Sequence, residues 1–114
     1  YTGAVALLVD WRSSSSADLF AYTLKASGRG IIVGQTPSGG LMGTVSGGQY
    51  VLPYGGFIQV PTGNFVDERG KVVVEGEGVA PDVIVPITVE SLLSDTDLIL
   101  QQAETAVLEA IGTK

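Results

Sequence analysis

The sequence predicts a mixed α/β fold: a parallel strand–helix–strand unit, then short β-hairpins, then a closing helix. Three observations carry this prediction. Ala4-Val5-Ala6-Leu7-Leu8-Val9 is an unbroken apolar run, the pattern of a strand covered on both faces of a parallel sheet. A helical pattern follows from about Ser15 to Ser27, with Ala17, Phe20, Ala21 and Leu24 on one face. A second apolar run, Ile31-Ile32-Val33, completes the unit after Gly28. A strand, a helix and a strand in that order form a right-handed crossover with parallel strands.

Each element has its own local justification. Ser15 and Asp18 have capping-box spacing at the helix start, and Gly28 stops the helix. From Gly34 to Gly43 the chain is a glycine-rich loop centred on Pro37-Ser38-Gly39-Gly40. Turn signals at Gly47-Gly48, Pro53 to Gly56, Pro61 to Gly63 and Asp67 to Gly70 divide the next segment. They leave strands at Thr44 to Leu52, Phe57 to Val60, Val72 to Glu75 and Val83 to Val85. The last helix spans about Asp95 to Ile111, with Leu98, Ala103, Val107 and Ile111 at apolar positions and Gly112 as its stop.

Composition bounds the function. A length of 114 residues suits one domain with a modest core, and 45% hydrophobic with 16% charged residues fits a folded segment rather than a disordered one. The net charge of −6, with no basic cluster, argues against nucleic acid as a partner. No apolar stretch is long enough to span a bilayer, and there is no signal-peptide pattern. Cysteine and histidine are both absent. The first absence removes a disulfide framework, and the second removes the usual general base and the commonest zinc ligand. The start at Tyr1, followed at once by a core-type strand, suggests a piece of something longer.

The chemistry-bearing residues are few. Ser15 is the candidate nucleophile, because a hydroxyl between a strand and a helix lies beside backbone N–H groups and the positive end of a helix dipole. Four consecutive serines, Ser13 to Ser16, also make an ordinary solvated helix cap. A nucleophilic hydroxyl needs a base. Lys25 is ten residues along the same helix, about 15 Å away at 1.5 Å per residue, and Lys71 is on an exposed turn flank. Any base must therefore come from outside the segment. Glu75 is the second candidate, a carboxylate able to orient a histidine as in serine triads. Its alternative is an acidic turn between strands. Asp82, after Pro81, is expected to form a turn by bonding its own backbone. Glu75, Glu77 and Asp82 have no specific metal-ligand spacing, so neither a metal nor a cofactor is expected. Gly39 and Gly40 lack the lysine and hydroxyl of a P-loop and read as a mobile rim of a substrate groove. Trp11 is expected to be buried against the first strand. Tyr50, Tyr54 and Phe57 read as core or surface aromatics.

Five runs in order resemble a known family: Leu7 to Asp10, Ser15 to Ala21, Gly28 to Gly34, Ile58 to Gly63 and Glu75 to Asp82. They resemble the tail-specific (C-terminal processing) and tricorn-like serine peptidases over nearly the whole chain. The resemblance implies a ClpP/crotonase-like core, with residues 1–114 as the C-terminal half of the catalytic domain. It sets Ser15 on the nucleophile, the Ser16 backbone N–H on an oxyanion donor, and Glu75 on the glutamate that the tricorn-like branch keeps beside its histidine. The base lysine of the tail-specific branch, due near Gly40, is absent, which brings the chain closer to the histidine-using branch. Implied partners are an extended polypeptide substrate and the N-terminal half of the same protein; without that half, exposed apolar sheet is expected to drive self-association with another copy. A cell-envelope or secreted location is compatible with the resemblance. Rival readings are a non-catalytic, retinoid-binding-like module of the same fold, a crotonase-type acyl-thioester enzyme and a structural interaction domain.

Overall fold

The computed structural model describes residues 1–41, 43 and 48–112. Its centre is a three-stranded sheet of β1 (Ala6–Val9), β2 (Ile31–Gly34) and β5 (Val83–Ile84), in the order β1-β2-β5. Both pairings are parallel, with Ala6 opposite Ile31 and Val33 opposite Val83. The first crossover is helix α1 (Ser16–Ala26).

Strand β2 lies between two neighbours and shows why its sequence is an unbroken apolar run. Side chains alternate across a sheet, and Ile32 and Val33 are both completely buried. Ile32 enters a cluster with Val9, Ala21, Val74 and Val79, on the side of α1. Val33 enters a second cluster with Val85 and Ala103, on the side of the C-terminal helix. The body is thus three layers deep, with the sheet in the middle.

Helix α1 ends as its glycine predicts. Gly28 has φ 63°, its N–H donates to Lys25 O at 2.9 Å, and Arg29 N–H donates to Leu24 O at 3.1 Å. These two bonds form a Schellman motif. The face that α1 buries differs from the expected one. Asp18 and Ala21 are its buried residues, while Ala17 is exposed and Phe20 is 57% exposed. The first strand is also less covered than its apolar run implies. It is an edge strand, and Leu8 is exposed beside Leu100 and Val107.

The hairpin of β3 (Gln49–Val51) and β4 (Phe57–Gln59) is antiparallel, with Tyr50 opposite Ile58. A one-turn 3₁₀ segment, Pro53–Gly55, closes it. Every residue from Gln49 to Thr62 is exposed, so the aromatics Tyr50, Tyr54 and Phe57 are surface groups. The expected strand from Thr44 lies partly outside the described residues. Val72 to Glu75 is not a strand. Val72 forms a single antiparallel bridge with Val66, and Val74 then turns to φ 73°, which ends any extended run.

A short helix, α2 (Val89–Leu93), was not expected from the sequence. It is held by a reciprocal cap, in which Ser91 N–H donates to Thr88 Oγ1 at 3.1 Å and Thr88 N–H donates to Ser91 Oγ at 2.9 Å. Helix α3 (Leu98–Gly112) starts three residues later than its sequence pattern suggests. The Asp97 side chain accepts from Leu100 N–H at 3.0 Å, placing the cap there. No helix among the described residues is long and apolar enough to cross a membrane.

Candidate functional site

Parallel α/β sheets present their loops at the carboxyl ends of the strands, and ligands bind there. In this chain that edge holds the Ser13–Ser16 segment after β1 and the Pro37–Leu41 loop after β2. Asp10 reverses the chain as it leaves β1, its Oδ1 accepting Arg12 N–H at 2.8 Å and Ser13 N–H at 3.1 Å. Trp11 is 65% exposed rather than buried against the strand, with the Arg12 guanidinium 4.9 Å from its ring centroid. The turn at Asp10 carries the indole outward before it can pack on the sheet.

Ser15 differs from its three neighbours in backbone conformation. It has φ 59° and ψ −116°, while none of the other three has a positive φ. A non-glycine residue there is strained, and it stays so only when its surroundings over-determine it. A sharp, strained strand-to-helix turn is also what exposes the nucleophilic serine of α/β-hydrolases. Ser15 is exposed. Its N–H is fixed from two sides, donating to Leu41 O at 3.0 Å and to Asp18 Oδ2 at 2.9 Å. Ser16 is the first residue of α1, where backbone N–H groups have no intrahelical acceptor.

The Gly39-Gly40 loop is held by hydrogen bonds from its own backbone. Each N–H from Ser38 to Leu41 donates a hydrogen bond: Ser38 to Val79 O, Gly39 to Ser13 O, and Gly40 and Leu41 to the two oxygens of Asp18. The loop therefore runs alongside Ser13 to Ser15. Gly40 is required by space as well as by its φ of 68°, since a Cβ there would fall 2.8 Å from Gly78 N.

Glu75 follows a second strained residue. Val74 has φ 73°, a genuine outlier for a β-branched side chain. Glu75 N–H donates to Val73 O at 2.8 Å, closing a rare γ-turn about Val74. Gly76 N–H then donates to Gly40 O at 2.7 Å. The Glu75 turn is thus one hydrogen bond from the rim loop, which is itself bonded to the Ser15 segment. Glu75 is exposed.

Other acidic residues have different tasks from those expected. Asp82 does not fold back on its own backbone. Its Oδ2 accepts Ile32 N–H at 2.9 Å, extending the β2–β5 ladder, and its Oδ1 pairs with Lys25 at 2.7 Å. Burial opposes the charge, but the Lys25 and Ile32 hydrogen bonds outweigh it and hold the Asp82 carboxyl below its ordinary value. Lys25 also donates to Ala80 O at 2.6 Å, tying α1 to the segment before β5. Among the described residues no group of three His, Cys, Asp or Glu side chains gathers as a metal site would require.

Two residues matter more than the sequence reading allowed. In the sequence Asp18 reads as a helix cap and Ser38 as a loop residue. They are the two buried polar residues among those described, and the Ser38 hydroxyl donates to Asp18 Oδ1. The S-x-x-D spacing marks Asp18 in the sequence, whereas no local pattern marks Ser38.

The family model of peptidase family S41 matches residues 1–85. The crystal structure of the tricorn protease superposes on this chain with a TM-score of 0.83 at 25% identity, over 95% of this chain. The chain spans about a tenth of that protein's length, 10%. The α/β architecture agrees with the ClpP/crotonase-like core implied by the sequence motifs. By the extent of this match, the chain belongs to peptidase family S41.

Proposed function

We propose that residues 1–114 form the C-terminal half of a serine peptidase catalytic domain and supply its nucleophile. The observation that carries this reading is the strained, exposed backbone of Ser15 at the junction of β1 and α1. In the mechanism, Ser15 Oγ attacks the scissile carbonyl while a histidine from outside these residues takes the hydroxyl proton. The tetrahedral oxyanion is held by the Ser16 N–H and a second backbone donor from outside the chain. Glu75 orients the histidine. The histidine then protonates the leaving amine, and water hydrolyses the acyl-enzyme. Gly39 and Gly40 line the groove, and the substrate is an extended or unfolded polypeptide that adds along the sheet edge.

The test uses the full-length natural protein, a serine-directed fluorophosphonate and an unfolded protein substrate. Labelling maps to Ser15, and Ser15→Ala abolishes it and lowers kcat by about 10⁴-fold or more. A Ser15→Ala variant that still hydrolyses the substrate at the parent rate refutes the assignment.

A further inference from the structure

Asp18 is completely buried, and a buried carboxylate is tolerated only when donors fill its oxygens. Asp18 has four donors. Its Oδ2 accepts Ser15 N–H at 2.9 Å and Leu41 N–H at 3.1 Å. Its Oδ1 accepts Gly40 N–H at 3.1 Å and the Ser38 hydroxyl. A helix cap needs only the first of these. The other three come from 20 to 23 residues further along the chain. Ser38 Oγ in turn accepts Val79 N–H at 2.8 Å, and Gly40 O accepts Gly76 N–H at 2.7 Å. Two hydrogen-bonded routes therefore leave Asp18 and reach the chain just after Glu75, one at Gly76 and one at Val79.

We infer that Asp18 is a positioning residue: its carboxylate holds Ser15 in the strained conformation and, through Ser38 and Gly40, sets where the Glu75 turn lies relative to it. This inference rests on the proposed roles of Ser15 and Glu75. The chemistry requires a carboxylate and not merely a polar group. An asparagine has one acceptor oxygen and one NH₂ donor. Whichever way that amide is turned, its NH₂ faces either the Gly40 N–H or the Leu41 N–H. One buried backbone donor of the loop then loses its acceptor, and the loop must shift. Ser38→Ala is a milder perturbation, since it keeps the carboxylate and its three backbone donors but cuts the route through Val79.

The experiment compares Asp18→Asn and Ser38→Ala with Ser15→Ala and the parent, all in the full-length protein. Fluorophosphonate titration counts reactive sites, and kcat and KM are expressed per titrated site. Asp18→Asn is expected to lower kcat per site by about 100-fold, the effect of a misplacement near 1 Å. Ser38→Ala is expected to lower it by about 10-fold on the same reasoning, with KM within about 3-fold of the parent. Phosphonate labelling slows in parallel. A merely structural role gives fewer titratable sites, each working at the normal rate, and that result overturns the inference. If Asp18→Asn does not fold, Ser38→Ala decides alone, and a rate per site within about 2-fold of the parent overturns the inference. Ser15→Ala separates the two levels. When it is inactive and the Asp18 and Ser38 variants are normal, the positioning role fails and the nucleophile stands. When Ser15→Ala is itself active, both fail.

Discussion

A methyl group at Gly78 would have to occupy space that the Ser38 backbone already fills. A Cβ built there lies 2.8 Å from Ser38 C and 3.2 Å from Ser38 N, and closer still to the carbonyl oxygen. These are backbone atoms, so no side-chain rotation relieves the overlap. Gly78 also has φ 68°. Gly76 offers a matched control, with φ 80° and nothing within 4 Å of its built Cβ. Gly76→Ala therefore costs only the left-handed conformation, about 1–2 kcal/mol. Gly78→Ala carries that cost plus an overpacking penalty of about 1–3 kcal/mol, for a total of about 2–5 kcal/mol. Relief of the clash moves Ser38 away from the turn that carries Glu75. The same substitution should then reduce kcat by about 100-fold, against less than about 3-fold for Gly76→Ala. Denaturant titration gives the stabilities, and peptide hydrolysis by the full-length variants gives the rates. Equal destabilisation by the two alanines, or parental activity in Gly78→Ala, would refute the claim that close contact between the 38–41 loop and the 74–79 turn matters.

Strain at Ser15 has a consequence for stability. Ser15→Gly and Ser15→Ala both remove the hydroxyl, but only glycine adopts φ 59° freely. Ser15→Gly should therefore unfold about 1 kcal/mol harder than Ser15→Ala by denaturant titration, and no difference would remove the argument from strain. The Asp82–Lys25 pair gives a pH dependence. The folded-state pKa of Asp82 is lowered from 3.8, so its stabilisation is present above that unfolded value and is lost as pH falls through the folded one. Both side chains are more than a third exposed, so the contribution is small. The stability gap between the parent and Asp82→Asn should be constant above about pH 5 and shrink below about pH 4. A gap that widens on acidification would contradict the assigned pairing.

The elements that the sequence revealed correctly are those fixed by local chemistry. Ile31 to Val33 is apolar because both of its faces are buried, and Gly28 ends α1 because its φ is positive. Misreadings arose where distant parts of the chain intervene. Phe20 fits the helical period, but the face that α1 turns to the sheet holds Ala21, and the Phe20 ring lies off it, 57% exposed. Val72 to Glu75 is rich in β-branched residues, yet Val74 is forced into a γ-turn by packing with Val9 and Ile32. Asp82 follows a proline as a turn former would, but a strand 50 residues away supplies its backbone partner.

By itself the sequence determined an α/β chain with a serine between its first strand and helix, and it placed that serine in a family by the order of short motifs. It singled out Ser15 among four serines by the capping-box spacing to Asp18 and by the order of those motifs, since the four side chains are themselves equivalent. Tertiary structure gave Ser15 a backbone conformation that its three neighbours do not share. Asp18 and Leu41 hold one N–H from two directions, and only a closed loop brings those acceptors together. The same closure sets Gly39-Gly40, read from the sequence as a groove rim, between the serine segment and the Glu75 turn. Hydrogen bonds to a buried carboxylate join residues 20 or more positions apart, and no sequence window contains them.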